Sequence, residues 1–163
     1  MSQEKWEKEG QVYLPLNQGF TKMIIGKKGK KGRPGFPSNE IKGLNLMMNS
    51  VREVEGVENL SGVEWVWASG CGFTAFPDWI MRLPLIEYLF IDHNDIPEIP
   101  ISIMAKETLI ELYANSNRRM SSISSPGPIL TYLSISDCDI KSLPSDLFHY
   151  ALLDVDLSGN PGE

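Results

Sequence analysis

The pattern LxxLxLxxN recurs six times in this chain at intervals of 21 to 23 residues, with an aliphatic side chain or a near equivalent in each leucine slot. The first slot holds Ile41, Val63, Ile86, Leu109, Leu130 and Leu152, and the fourth holds Leu44, Val66, Leu89, Leu112, Leu133 and Val155. The sixth holds Leu46, Ala68, Ile91, Ala114, Ile135 and Leu157, and the ninth holds Asn49, Cys71, Asn94, Asn117, Cys138 and Asn160. A unit this short cannot bury its own apolar face, so its neighbours must stack on it. Further apolar residues follow at the eleventh slot (Val51, Phe73, Ile96, Ile140) and the fourteenth (Val54, Phe76, Ile99, Leu143), three of the latter followed by Pro77, Pro100 and Pro144.

Aliphatic slots closed by Asn or Cys resemble the leucine-rich repeat, from about residue 41 to residue 163. The resemblance implies an α/β fold: a right-handed curved horseshoe, or solenoid, with a parallel sheet on its concave face and short helical or irregular turns on its convex face. Slots three to five would form one short strand per unit. The fourth and sixth side chains would point inward, and the ninth-slot Asn would bond backbone groups otherwise buried without partners. Turns such as 78–83 and 145–150 would cross the convex side. In the fourth unit Met120 and Ile123 fall one position late, and SSISSPGP follows, which predicts an irregular loop at 118–128.

One domain is expected, in two parts. Residues 1–40 carry no repeat; 41–163 form the solenoid of six units, the last truncated. QVYLPL at 11–16 and TKMIIG at 21–26 read as strands about a Gly turn, and therefore as a β-hairpin capping the first unit. The basic run at 26–35 forms a Gly-rich loop. Residues 1–40 hold eight Lys or Arg against four Glu, a net of +4, while 41–163 hold seven against seventeen acids, a net of −10. Lys27, Lys28, Lys30, Lys31 and Arg33 could neutralise phosphates, or form a solvated loop. The run lacks the spacing and the Ser or Thr of a P-loop, so nucleotide hydrolysis is not indicated.

In this family the third and fifth slots face the concave surface. Here that places Trp65, Tyr88, Glu111, Tyr132 and Asp154 in one row and Trp67, Phe90, Tyr113 and Asp156 in the other. Strands about 4.8 Å apart bring such rings into contact. The stripe reads as a partner-binding face; the alternatives are cross-strand pairs that only stabilise the sheet, or a face covered by the N-terminal segment. Its acidic end matches a protein partner with an apolar anchor beside a basic patch.

The remaining chemistry is sparse. Cys71 and Cys138 read as small buried residues in the turn ladder, three units apart and too distant for a disulfide, which fits a reduced, cytoplasmic setting. His93 reads as an exposed rim residue. Asp154 and Asp156 could hold a cation or do acid–base work, but no third ligand is evident. No catalytic residue, metal or cofactor is expected, nor an enzyme, nor a membrane span. A protein–protein interaction module leads. A carbohydrate-binding module using the aromatic rings is the second reading, and a nucleic-acid-associated protein using the basic loop the third, opposed by the acidic remainder. A monomer is expected, with the last strand's edge able to pair.

Overall fold

The computed structural model describes residues 6–38, 40–149 and 151–161. They form an α/β protein with a mostly parallel multistranded sheet and few helices. The strands in chain order are β1 (Glu7–Lys8), β2 (Gln11–Tyr13), β3 (Lys22–Ile25), β4 (Gly35–Phe36), β5 (Gly43–Asn45), β6 (Glu53–Glu55), β7 (Trp65–Trp67), β8 (Tyr88–Phe90), β9 (Glu111–Tyr113), β10 (Tyr132–Ser134) and β11 (Asp154–Asp156). An eight-stranded sheet runs β1-β2-β5-β7-β8-β9-β10-β11, and a three-stranded sheet runs β4-β3-β6. Every pairing is parallel except that of β1 with β2.

From β5 onward each strand of the larger sheet is slots three to five of one unit. The pairing is in register, so Leu44, Val66, Leu89, Leu112, Leu133 and Val155 form one row across the sheet. A one-residue slip would turn that row to solvent. Leu89 and Ile91 are fully buried while Tyr88 and Phe90 on the opposite face are half-buried. Met23 and Ile25 of the smaller sheet join the same cluster as Leu44, Val66 and Leu89. The two sheets therefore flank one core.

Between strands the chain returns through short pieces. Asp78–Met81 (α1) and Ile101–Met104 (α2) are single helical turns whose N-caps are Pro77 and Pro100. Proline suits a helix start because the amide it lacks would have no intrahelical partner there. Two 3₁₀ turns span Val57–Leu60 and Leu147–His149. Residues 118–128 contain neither helix nor named strand and touch the next return segment through a bridge between Ser122 and Ser142. Leu143 is exposed, unlike its counterpart Ile99. No helix among the described residues is long and apolar enough to cross a membrane.

The N-terminal segment is organised differently from the expected hairpin. Strands do form at 11–13 and 22–25, but they do not pair with each other. β2 lies parallel to β5, with Val12 beside Leu44, and makes its antiparallel turn with β1 through Gly10. β3 crosses to the smaller sheet and pairs with β4 and β6. The reason is visible in the slots: Val12 and Leu14 repeat the fourth and sixth positions, so 9–14 behave as the start of a further unit, whereas Asn17 is exposed, with φ 56°, and does not take the buried ninth-slot place. Trp6, Phe20 and Phe36 are buried at that end, with the Trp6 and Phe20 ring centroids 5.7 Å apart.

The eighth slot bends the backbone in every unit. Met48, Gly70, His93, Ser116, Asp137 and Gly159 all have φ between 53° and 76°. Each residue at 48, 70, 93, 116 and 137 also donates its N–H to the seventh-slot carbonyl of the following unit. The left-handed conformation costs a non-glycine residue about 1–2 kcal/mol, part of which is offset by the greater chain entropy of glycine when unfolded. His93→Gly should therefore raise stability by up to about 1 kcal/mol in urea denaturation, and His93→Val should lower it.

The ninth slot binds adjacent units together. Asn117 Nδ2 donates to Ile91 O at 3.1 Å and Ala114 O at 3.0 Å, while its Oδ1 accepts Ile96 N–H at 3.1 Å. Asn94 and Asn160 repeat the scheme, and Asn49 donates to Pro15 O. Cys71 and Cys138 donate S–H to Leu46 O and Ala114 O, each at 3.3 Å. Asn117→Ala strands a buried amide and buried carbonyls, at about 1–3 kcal/mol for each group left without a partner. We expect Asn117→Ala to cost at least about 3 kcal/mol by chemical denaturation, and Asn117→Cys less, because its thiol can still donate.

Candidate functional site

Slots three and five lie on the sheet face away from the core, and strand pairing decides which side chains meet. In the fifth-slot row Trp67, Phe90 and Tyr113 are neighbours. Their ring centroids are 5.2 Å apart (Trp67 and Phe90) and 4.5 Å apart (Phe90 and Tyr113). The ladder continues diagonally to Tyr132, 5.1 Å from Tyr113. Phe90 and Tyr113 are stacked with planes 4° apart. Such separations follow from the interstrand spacing, and stacked or tilted pairs within this range attract.

Trp65 does not belong to this ladder, although the sequence suggests one continuous stripe. Its ring packs against Tyr13 of β2, with centroids 6.0 Å apart. It reaches Tyr13 by lying across Gly43, where a Cβ would overlap the indole. Tyr88 stands between Trp65 and Glu111 in the third-slot row. Tyr13 was missed as a member of the site because Glu9 occupies the first slot of its unit and the next unit begins 32 residues on. The signal was Val12 and Leu14, spaced as the fourth and sixth slots.

A polar row runs beside the rings in the seventh slot, also unforeseen. Trp67 Nε1 donates to Ser69 Oγ at 3.1 Å, and Ser69 Oγ donates to Asp92 Oδ2 at 3.4 Å. Asp92 Oδ1 accepts the backbone and side-chain N–H of Asn115, both at 2.9 Å. Asn115 Oδ1 in turn accepts Ser134 Oγ at 2.7 Å and Ser136 Oγ at 2.8 Å. Trp67 and Ser136 are thereby linked across four strands, which fixes the orientation of Trp67 at the open end of the ladder. Trp67 is 39% exposed, while Phe90, Tyr113 and Tyr132 are half-buried by one another.

Carboxylates flank the rings. The Tyr113 hydroxyl donates to Glu111 Oε1, and that bond is the main reason its pKa is pushed up to about 12, because a phenolate beside Glu111 would be repelled. Asp154 and Asp156 end the two rows on β11. Asp156 Oδ1 accepts Ser158 N–H at 3.0 Å and Ser158 Oγ at 2.7 Å, which holds its pKa below the ordinary aspartate value. A depressed carboxylate stabilises the fold above its unfolded pKa and loses that contribution as pH falls through the folded one, so this local bond weakens only below about pH 3.8.

The basic residues sit elsewhere. The loop of Lys27, Lys28, Lys30, Lys31 and Arg33 joins β3 to β4 in the smaller sheet, across the core from the rings. It does not cover the aromatic face. Lys30 and Arg33 exchange two backbone hydrogen bonds of 2.9 Å, closing a tight turn. Lys27 Nζ lies 4.0 Å from Glu55, and Lys22 Nζ 3.2 Å from Glu53. His93 is exposed. Among the described residues no three His, Cys, Asp or Glu side chains are grouped so as to hold a metal ion.

Both cysteines are free, and burial pushes Cys71 up to about 11 and raises Cys138 as well. Neither carries appreciable thiolate at neutral pH, so neither is a ready nucleophile. In comparisons with protein-family models and with curated proteins, nothing matches this chain.

Two outcomes test this geometry. Gly43→Ala should displace the Trp65 ring from Tyr13, changing near-ultraviolet circular dichroism while the far-ultraviolet spectrum is kept. Glu111→Gln should move one tyrosine titration from about 12 back toward 10, read by absorbance at high pH.

Proposed function

We propose that this chain is a leucine-rich repeat solenoid acting as a non-catalytic protein-interaction module, gripping a partner on its concave aromatic face. The strands that recur once per unit, their shared register and the ninth-slot hydrogen bonds support the solenoid reading. The ladder of Trp67, Phe90, Tyr113 and Tyr132 carries the functional one. Four contiguous rings outside the core, beginning at an exposed Trp, are the composition of a binding hot spot.

The orientation of the rings favours a protein over a sugar. A sugar stacks on the flat face of a ring, but in this ladder Phe90 and Tyr113 turn their faces to each other. What they offer outward is ring edge, which suits apolar side chains and carbonyl oxygens. The partner then combines an apolar anchor on the ladder with a basic patch opposite Glu111, Asp154 and Asp156. Nucleic acid fits less well, since the basic loop lies on the opposite flank and the chain carries a net charge of −6. Free thiols fit a reducing cytoplasmic setting.

Affinity capture from the native source, comparing the wild type with Trp65→Ala/Trp67→Ala, tests the reading. Trp67→Ala should weaken partner binding by at least about 2 kcal/mol, roughly thirtyfold. Its melting temperature should hardly change, because this side chain lies outside the core cluster. Undiminished binding would move the interface off this face.

A further inference from the structure

The fifth-slot row has a gap. From β2 to β9 it reads Tyr13, Asn45, Trp67, Phe90 and Tyr113. Asn45 is half-buried, and its Oδ1 accepts Met47 N–H at 3.2 Å, which holds the side chain down against its own backbone. Tyr13 and Trp67 stand on either side of it, two strand spacings or roughly 9.6 Å apart. They are also the most exposed rings of the row, at 47% and 39%, whereas Phe90 and Tyr113 are half-buried.

The walls of this notch are fixed. Trp67 has Phe90 against one side, with planes 30° apart, and its Nε1 bond to Ser69 holds the other side toward Asn45. The Tyr13 hydroxyl donates to Gln11 Oε1 at 2.6 Å. Trp65, lying over Gly43 against Tyr13, closes the third-slot side. From β2 to β8 the third and fifth slots hold no charged residue. Lys42, beside Gly43, reaches toward Gly62.

The gap is one planar group wide. A group midway would lie about 4.8 Å from each flanking ring. The ladder's own rings meet at 4.5 Å and 5.2 Å. The same position falls within the roughly 6 Å over which an aromatic face attracts a cation. A guanidinium meets both conditions, being planar, always charged and weakly hydrated, and it stacks where a compact ammonium does not. Asn45 Oδ1 has two lone pairs and uses one on Met47, so it can also accept a guanidinium N–H.

We propose that the notch over Asn45 seats the guanidinium of an arginine carried by the protein partner. This rests on the reading of the concave face as an interface. It sets that arginine on the side of Trp67 opposite Phe90, next to the partner's apolar anchor. A phenyl ring would match the width of the gap but would gain neither the cation attraction nor the bond to Asn45.

The test titrates the protein with acetyl-GRG-amide and follows the tryptophan indole N–H signals by NMR. Controls are acetyl-GKG-amide, acetyl-GFG-amide and the peptide carrying citrulline, the planar uncharged counterpart of arginine. The arginine peptide should move the Trp65 and Trp67 signals and saturate at millimolar concentration, at least about fivefold more tightly than any control. Trp6 and Trp79, both buried, should not respond. Asn45→Phe fills the gap and keeps the ladder, so it should abolish the response, and Tyr13→Ala should weaken it at least about threefold, each with an unchanged far-ultraviolet spectrum. No response to arginine, equal binding of arginine and citrulline, tighter binding of phenylalanine, or a response that persists in Asn45→Phe would each overturn the proposal. Affinity capture separates it from the interface reading. Capture that is lost in Trp67→Ala, with no arginine response in the wild type, leaves the interface and removes the notch. An arginine response with capture indifferent to Trp67→Ala would overturn the interface and, with it, the partner's arginine.

Discussion

Everything in this structure depends on satisfying the backbone where the chain leaves each strand. The turn after the strand is buried between units, and its carbonyls and amides cannot reach water. An Asn in the ninth slot meets that demand from one side chain, donating to carbonyls of two consecutive units and accepting an amide two residues past the preceding turn. Cysteine meets only half of it, because a thiol donates but accepts poorly. Before Cys71, Val51 N–H turns instead to Asn49 O at 2.9 Å. Before Cys138 the core position passes from the eleventh slot, held by Arg119, to Met120, and the segment that follows is irregular. The fourth unit's departure thus falls where the ninth-slot acceptor is missing.

The same stacking sets the geometry of the outer face. In-register parallel strands place like slots one interstrand spacing apart, close to the contact distance of two aromatic rings. Rings in the fifth-slot row are therefore brought into contact, tilted at Trp67 and Phe90 and stacked at Phe90 and Tyr113, where the faces turn inward to the row. Trp65 escapes only because Gly43 leaves room beside it. Whether a ring on this sheet offers a face or an edge is decided by its row neighbour, not by its own identity.

The sequence made the strands, their register and the inward rows legible, because burial on one side of a pleated strand imposes a period that composition cannot imitate. Leu89 inward and Phe90 outward are what the resemblance implied, and the structure places them so. The N-terminal pairing did not. Two apolar runs about a glycine read as a hairpin, yet Val12 and Leu14 find their best neighbours in the next unit, and the rest of the segment crosses the core. The seventh-slot row of Ser69, Asp92, Asn115 and Ser136 was equally hidden, since Ser, Asp and Asn near a turn are ordinary loop residues until pairing aligns them. The split between the Trp65–Tyr13 pair and the ladder depended on Gly43, whose missing side chain has no signature of its own.

The cysteines give the molecule a property unrelated to binding. Each thiol is buried and held protonated, so its chemistry is suppressed while its neighbours remain stacked. Cys71 follows β7 and Cys138 follows β10, three units apart along the sheet. Reaction with an alkylating reagent then requires the surrounding units to part, and the two sites sample different partings. The chain carries two internal clocks, whose rates compare how often the units around β7 part with how often those around β10 do.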